Sequence, residues 1–222
     1  MIATKVDNEI EQEITSELEW ELGAEAENVG VHSHAGITTL TGNVRSYAAK
    51  IAAQEAALRV SGVTDVANEL TVRVAPPLDR SDAEIAKAVR NALEWHVMVP
   101  DDRITSTVSD GFVTLRGSVE LLTERHEAES TVRSLAGIRG VHNEIEVLPR
   151  KVDADELQFK IERALERRAE REANRIAVTV HDGRVMLTGS VQSLAEKRSI
   201  LGLVSHAHGV GAVDDFLTIK RL

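Results

Sequence analysis

Apolar residues in the middle of the chain recur every three or four positions, as Ile85, Val89 and Leu93 do, which predicts an amphipathic helix. The pattern then changes to alternation of apolar and polar residues, which predicts strands that bury one face. A second run of helical spacing follows, and a last alternating run ends the unit. These later runs are 104–108 and 112–116 for two strands, 121–135 for the second helix and 141–148 for the last strand. The pattern predicts the order helix, strand, strand, helix, strand.

The same pattern occurs three times when the chain is compared with itself, first 75 and then 72 residues further on. The columns with one residue type in all three copies are Leu18, Leu93 and Leu165; Gly36, Gly111 and Gly183; Leu40, Leu115 and Leu187; Gly42, Gly117 and Gly189; Val44, Val119 and Val191; Gly62, Gly137 and Gly209; and Val66, Val141 and Val213. Each copy has the length of a small domain rather than of a solenoid repeat. We therefore predict three tandem domains at 1–75, 76–150 and 151–222, called copies 1, 2 and 3, with short linkers around Pro76 and Pro149.

The predicted fold class is α+β. Asp110-Gly111 and Asp182-Gly183 are typical of tight hairpins, so the first two strands should be antiparallel. A helical crossover should place the third strand parallel to the second, giving a three-stranded mixed sheet with both helices on one face. Candidate helix N-caps are Asp7, Ser81 or Asp82, and Asp155. The nine repeated glycines are predicted to be structural, supplying positive-φ turns, a close approach at a strand end and a helix C-cap.

The amino-acid composition excludes several kinds of site and partner. The 222 residues include no cysteine, which excludes disulfides, thiolate metal sites and cysteine nucleophiles. The formal net charge of -10 argues against a nucleic-acid partner. No apolar run has the length of a membrane span, and the first residues carry no secretory signal. We expect a cytoplasmic protein, or a periplasmic one if a leader has been removed.

Several motifs resemble the BON domain, named for bacterial osmotic-shock periplasmic and nodulation proteins. They are Phe112–Val119 with Gly137–Asn143, Val185–Val191, and Gly62–Asn68, and the resemblance covers nearly the whole chain. It implies a small helix-and-sheet module linked with osmotic stress, secretion and transport, which binds phospholipid surfaces or hydrophobic ligands. Many relatives are periplasmic. The family brings no catalytic residues, so the resemblance implies a protein that is not an enzyme.

Two sets of residues are candidate contacts for a lipid or ligand. Trp20 and Trp95 occupy one column and should point away from the local core, either filling contacts between copies or meeting a membrane or ligand surface. The other set is a basic column on the second helix, Lys50, Arg125 and Lys197, which is either a solvated surface position or a contact for phosphate headgroups.

Other charged and titratable residues favour ordinary surface roles. A stripe of glutamates on the first helix is a solvated face or a dock for a basic partner, including copy 3. Its members are Glu9, Glu13, Glu17, Glu21 and Glu25. Neither His32 with His34 nor His206 with His208 has a complete ligand set nearby, so no metal or other cofactor is predicted. No catalytic constellation stands out.

The leading hypothesis is a non-enzymatic binding protein whose three modules contact an anionic phospholipid membrane or a hydrophobic ligand together. The alternative is a cytoplasmic scaffold that recruits protein partners through exposed sheet faces or edges. The sequence leaves the oligomeric state open.

Overall fold

A computed structural model describes residues 7–76, 79–168, 176–191 and 194–219. The helices are α1 Asp7–Leu22, α2 Tyr47–Arg59, α3 Asp82–Trp95, α4 Leu122–Arg133, α5 Ala154–Arg168 and α6 Leu194–Ser205. The strands are β1 Val29–His34, β2 Ile37–Val44, β3 Asp65–Asn68, β4 Thr71–Val72, β5 Ile104–Ser109, β6 Phe112–Val119, β7 Gly140–Val147, β8 Ile176–His181, β9 Arg184–Val191 and β10 Ala212–Ile219. The α+β class and the order of elements in each copy are confirmed. In copy 3 the repeat predicts the second helix at 193–204 and the last strand at 213–220. Ser193 and Lys220, which end these two predictions, lie outside the described residues.

The sheets are mixed, as predicted. In copy 1, β1 pairs antiparallel with β2, and β2 pairs parallel with β3. Copy 3 repeats this arrangement with β8, β9 and β10. The registers also match, since Val31 faces Leu40 in copy 1 and Val178 faces Leu187 at the equivalent position of copy 3. The middle sheet has the order β5-β6-β7. The central strand of each copy is therefore the second one.

Each outer copy has one hydrophobic core between its helices and one face of its sheet. In copy 1, Ile14 of α1, Ala53 of α2 and Leu40 of β2 are fully buried members of one cluster. In copy 3, Ile161 of α5, Val204 of α6 and Leu187 of β9 form the equivalent cluster. The opposite face of each sheet carries the exposed positions of the strands. Both helices thus cover the same face in these copies, because the buried apolar positions of the strands lie on that side.

The hairpin between the first two strands is closed by two residues with positive φ. These are Ala35 and Gly36 in copy 1, Asp110 and Gly111 in copy 2, and Asp182 and Gly183 in copy 3. Two positive-φ residues in a two-residue loop are typical of the turn that matches the twist of the strands. In copies 1 and 2 the first residue of the opening helix accepts hydrogen bonds from this turn, as the following distances show. Ala35 N–H donates to Asp7 Oδ1 at 3.2 Å, and the N–H groups of Asp110 and Gly111 donate to Asp82 at 2.9 Å.

The second glycine column is required by a close approach of the second strand to the residue that precedes the first strand. A Cβ atom at Gly42 would overlap the carbonyl oxygen of Asn28, and one at Gly117 would overlap that of Arg103. Both oxygens are backbone atoms of the adjacent segment of the same protein, so no side-chain movement could relieve the overlap. The nine repeated glycines all have positive φ: Gly36, Gly42, Gly62, Gly111, Gly117, Gly137, Gly183, Gly189 and Gly209.

Three local predictions need correction. Helix α1 begins at Asp7 itself, so Asp7 lies in the first turn and is not the residue that precedes the helix. Helix α5 begins at Ala154, and Asp153 rather than Asp155 accepts the N–H of Glu156, at 3.1 Å. Asp155 already lies in the first turn of the helix, so it cannot be the residue that precedes it. For copy 1 the repeat predicts one continuous last strand over 66–74, but this strand is divided into β3 and β4. The N–H groups of Glu69 and Arg73 still bond to β2 carbonyls.

The backbone divides into two compact units. One consists of Met1–Asn91, Thr107–Thr114 and Val132–His142, and the other of Ala92–Ser106, Leu115–Thr131 and Asn143–Leu222. Copy 1 belongs to the first unit and copy 3 to the second. The predicted domain limits at 75 and 150 stay a prediction.

Candidate functional site

The two tryptophans lie at the same position in copies 1 and 2 and both face solvent. Trp20 in α1 is 87% exposed, and Trp95 at the end of α3 is 86% exposed. Each follows a buried leucine of its helix, Leu18 or Leu93, and projects away from it. Each indole therefore lies outside the core of its own copy. Both interpretations of the sequence, a contact between copies and a membrane or ligand surface, stay predictions. An exposed indole is unusual for a residue that strongly favours burial or an interface.

Copy 2 adds further exposed apolar side chains after Trp95. Val97 is 98% exposed and Met98 is 51% exposed. Their loop has its own hydrogen bonds, from Val99 N–H to the carbonyl of His96 at 3.0 Å and from Asp101 N–H to that of Val99 at 2.9 Å. The Val99 side chain is buried and anchors the loop. We did not single out this loop from the sequence, although the consecutive Val97, Met98 and Val99 were a visible signal.

The basic column on the second helix is engaged within its own copy. Lys50 Nζ donates to the carbonyl of Leu70 at 2.7 Å, and Lys197 Nζ donates to that of Leu217 at 2.9 Å. Arg125 donates to the carbonyl of Asn143 at 3.3 Å. Each charged group therefore ties the second helix to the last strand, which reduces its availability for a phosphate headgroup.

A polar column on the last strand completes this tie, and sequence reasoning missed its role. Asn68 Nδ2 donates to the carbonyl of Lys50 at 2.9 Å, and Asn143 Nδ2 donates to that of Arg125 at 3.0 Å. Copy 3 has Asp215 at this position, and its carboxylate lies 2.9 Å from Lys197 Nζ. We call this arrangement of basic and polar columns the helix–strand latch. The available signal was the recurrence of a short polar residue two positions after the repeated valine of the last strand.

The acidic stripe of α1 has an internal partner. Arg59 of α2 contacts Glu21 at 2.7 Å and Glu17 at 3.4 Å, and these hydrogen bonds and charges raise the pKa of the guanidinium. Two open grooves run along α1 and are lined mainly by polar side chains, including Glu13 and Gln12. Such grooves do not resemble an enclosed site for an apolar ligand.

The paired histidines on β1 contact carboxylates rather than each other. His32 Nδ1 lies 3.0 Å from Glu11 Oε1, and His34 Nδ1 lies 3.4 Å from Asp7 Oδ2. Within the described ranges, no three histidine, aspartate or glutamate side chains are grouped so that they could hold a metal ion. In the same part of the chain, no helix has both the length and the apolar character that a membrane span requires.

The open face of the sheet differs between copies. In copy 2, Phe112 stacks on His142, with ring centroids 6.2 Å apart. In copy 3, Met186 and Phe216 are 40% and 59% exposed. These faces offer apolar surface on the side of the sheet that the helices leave uncovered.

The repeated unit of two helices on a mixed three-stranded sheet, with its glycine columns, matches a known family model three times. The BON domain model matches residues 6–74, 81–149 and 153–221. The chain belongs to the BON domain family. The tandem arrangement read from the repeats is thereby confirmed, and each BON domain begins with its opening helix and ends with its last strand.

Among curated proteins, the BON chain is similar to osmotically-inducible protein Y of Escherichia coli (strain K12). The two are 28% identical over 122 residues, which are 53% of this chain and 61% of the relative. The chain thus matches less than two thirds of the length of that relative.

Among solved structures, two of CdsD, a structural protein of the type III secretion system of Chlamydia trachomatis, are similar at 14% and 15% identity. The matches cover 93% and 94% of this chain and 96% and 91% of the CdsD chains, with TM-scores of 0.25 and 0.24. At these scores the likeness supports no conclusion about this BON protein.

Proposed function

We propose that the protein is a non-enzymatic, stress- or transport-associated BON protein that binds phospholipid surfaces or hydrophobic ligands through its tandem domains. The observation that carries the proposal is the equivalent position and high exposure of Trp20 and Trp95. Indoles favour the boundary between water and lipid, because the ring is apolar and its N–H still finds a partner there. The similarity to an osmotically inducible protein supports the association with stress.

The geometry favours a surface contact over an enclosed ligand site. The apolar residues at this site are exposed side chains at the end of α3 and in the following loop, namely Trp95, Val97 and Met98. Because Lys50 and Lys197 donate to backbone carbonyls, we expect the indoles rather than the basic column to supply most of the affinity. Binding should therefore occur on zwitterionic vesicles as well as on anionic ones. Because the net charge of the protein is -10, its binding to anionic vesicles should be weaker at low salt.

The experiment is a vesicle titration followed by tryptophan emission and by cosedimentation. The chain contains only two tryptophans, so a blue shift of the emission reports directly on Trp20 and Trp95. Substitution of both by alanine should abolish cosedimentation, since burying one indole contributes roughly 2–3 kcal/mol, or about a 30-fold to 150-fold change in affinity. The matched control is Phe159→Ala, which removes an aromatic ring that is 61% exposed but lies in another column. An unchanged emission spectrum at saturating vesicle concentration, with either lipid, would reject the proposal.

A cytoplasmic protein scaffold is the second candidate, favoured by the apolar side chains on the open sheet faces. Phe112 and Phe216 are 45% and 59% exposed, and neither belongs to the tryptophan column. If a purified partner binds these faces, Phe216→Ser should weaken that complex while the two tryptophan substitutions leave it intact. The reverse result would assign the interaction to the tryptophans.

A further inference from the structure

Carboxylates of the first helix cover the hairpin end of the outer sheet edge in copy 1. Ser33 N–H in β1 points away from β2 and donates to Glu11 Oε1 at 2.7 Å. Ala35 N–H, in the turn that follows this strand, donates to Asp7 Oδ1 at 3.2 Å. Because N–H groups alternate in direction along a strand, those of Val29 and Val31 face the same edge as that of Ser33. A covered edge cannot easily pair with a strand of another molecule.

Copy 3 lacks both of these carboxylates. Its strand β8 has the same register against β9 as β1 has against β2, so the N–H groups of Ile176, Val178 and Val180 face the outer edge. The positions of Asp7 and Glu11 are occupied by Ala154 and Gln158. The Gln158 amide donates instead to Glu162 within its own helix, at 2.9 Å.

The side chains of β8 also lack the usual protection of an edge strand. The strand reads Ile-Ala-Val-Thr-Val-His and contains no lysine, carboxylate, proline or glycine. Val178 and Val180 face the core, whereas Ala177 and Thr179 are exposed on the open face. Small and β-branched residues of this kind favour strand pairing.

The sequence of β8 is complementary to itself. In an antiparallel pair of two β8 strands centred on Val178, Ile176 faces Val180 of the other molecule and Ala177 faces its Thr179. All aliphatic core positions then meet on one face, and all small or polar positions meet on the other. No like charges oppose each other in this register, so the occupant that best fits the edge is a second copy of the chain.

We propose that β8 is a self-association edge through which two copies of this chain pair antiparallel, joining their third sheets. The contact is isologous, so it closes as a dimer instead of growing into a fibre. One six-residue strand from each partner makes an interface well below standard size. The dimer is therefore weak and reversible, with a dissociation constant between about 10 µM and 1 mM.

Sedimentation equilibrium of the full chain tests the proposal directly. The weight-average mass of the wild type should rise with concentration from 24.2 kDa toward twice that value. In the double variant with Ala177→Lys and Thr179→Lys, each new lysine of one molecule faces a new lysine of the other. The repulsion between these charges should keep the variant monomeric. The corresponding double glutamate variant should also stay monomeric, and an equimolar mixture of the two variants should regain the dimer mass.

Two controls connect the result to the carboxylate that copy 3 lacks at the position of Glu11. Gln158→Glu restores the carboxylate found in copy 1 and should weaken dimerisation at least tenfold, whereas His32→Lys on the covered edge of β1 should leave it unchanged. Hydrogen exchange of the wild type needs no substitution, and the amides of Val178 and Val180 should become more protected as concentration rises. A mass of 24.2 kDa at millimolar concentration, or a mixture of charged variants that stays monomeric, would overturn the proposal.

Discussion

Lys197 and Asp215 form an ion pair, with 2.9 Å between Nζ and Oδ2, where the first two BON domains use a neutral amide. In those domains Asn68 and Asn143 donate to the helix carbonyls of Lys50 and Arg125. The latch thus keeps its position while its chemistry changes. In the first two domains the strand donates to the helix backbone, and in the third the helix cation is held by the strand carboxylate.

The first prediction concerns this exchange of chemistry. Asn143→Asp should destabilise the second domain by about 1–3 kcal/mol, because the change removes two donors and sets a carboxylate beside Glu129 Oε2, which Asn143 contacts at 3.0 Å. Asp215→Asn should cost only about 0–1 kcal/mol, because it removes one partly exposed ion pair and keeps the acceptor for Leu217 N–H. Hydrogen exchange of the last-strand amides measures each domain separately. Equal costs for the two substitutions would contradict this account of the latch.

A second prediction concerns two buried hydroxyl groups of the first domain, at positions where the other two domains have none. Ser33 and Thr38 are 2% and 0% exposed, and their hydroxyl oxygens lie 3.3 Å apart. The other copies have valine at both positions. Ser33→Val alone should destabilise the domain by about 1–3 kcal/mol, since it leaves Thr38 Oγ1 without this partner. The double change to valine should restore wild-type stability or exceed it, and a double-mutant cycle in urea tests this. Additive losses would show that the hydroxyl groups do not act as a pair.

A third prediction follows from the hairpin of the first domain. Ala35 has φ +52°, and the equivalent turn residues of the other domains, Asp110 and Asp182, also have positive φ. Alanine in this region is strained by roughly 1 kcal/mol, whereas asparagine tolerates it. Ala35→Asn should therefore raise the free energy of unfolding by about 0.5–1 kcal/mol, as measured by thermal unfolding. Ala35→Val is the opposing control and should lower it.

A fourth prediction concerns the start of α3. Ser81 N–H and Oγ donate to Glu84 Oε2 at 2.9 and 2.7 Å, and these hydrogen bonds, helped by the charge of Arg80, lower the pKa of the Glu84 carboxyl. Because the folded-state pKa is the lower one, this contribution to stability is present above the unfolded-state pKa and is lost as pH falls through the folded-state value. Ser81→Ala should move the pKa of Glu84 back upward, as followed by carbon NMR. No movement would show that the capping box does not form in solution.

A fifth prediction separates the two interpretations of the basic column. Lys50→Gln should increase the exchange rate of the last-strand amides of the first domain, because Leu70 loses its partner at 2.7 Å. The same variant should bind zwitterionic vesicles as tightly as the wild type. A selective loss of binding to anionic vesicles, without a change in exchange, would instead assign Lys50 to headgroup contact.

Much of the fold could be predicted because its signals are local and occur three times. The alternation before Gly117 and the helical spacing of Ile85, Val89 and Leu93 each require only neighbouring residues. The aspartate–glycine turns likewise specify the hairpin through their own backbone preferences. The α5 cap was misplaced by two residues because Asp153 and Asp155 are chemically alike, and only the backbone shows where the helix begins.

The candidate site was less accessible to sequence reasoning. The position of Trp20 and Trp95 on the outer side of their helices followed from the helical period. Their high exposure did not, because it depends on what the rest of the chain leaves uncovered. The latch was missed because Lys50 and Asn68 lie on different elements and are brought together only when α2 packs beside β3.

The sequence by itself determined the triplicated unit, its order of elements and its glycine turns, since these depend on periodicity and on backbone conformations that few residues adopt. Only the tertiary structure decided which polar groups are engaged and which are open. It directs Lys197 toward Asp215 and the Leu217 carbonyl, covers the β1 edge with Glu11 and leaves β8 without that carboxylate. The physical reason is that hydrogen bonds and burial join residues that are distant in the chain, and those distances exist only after the helices have packed on the sheet.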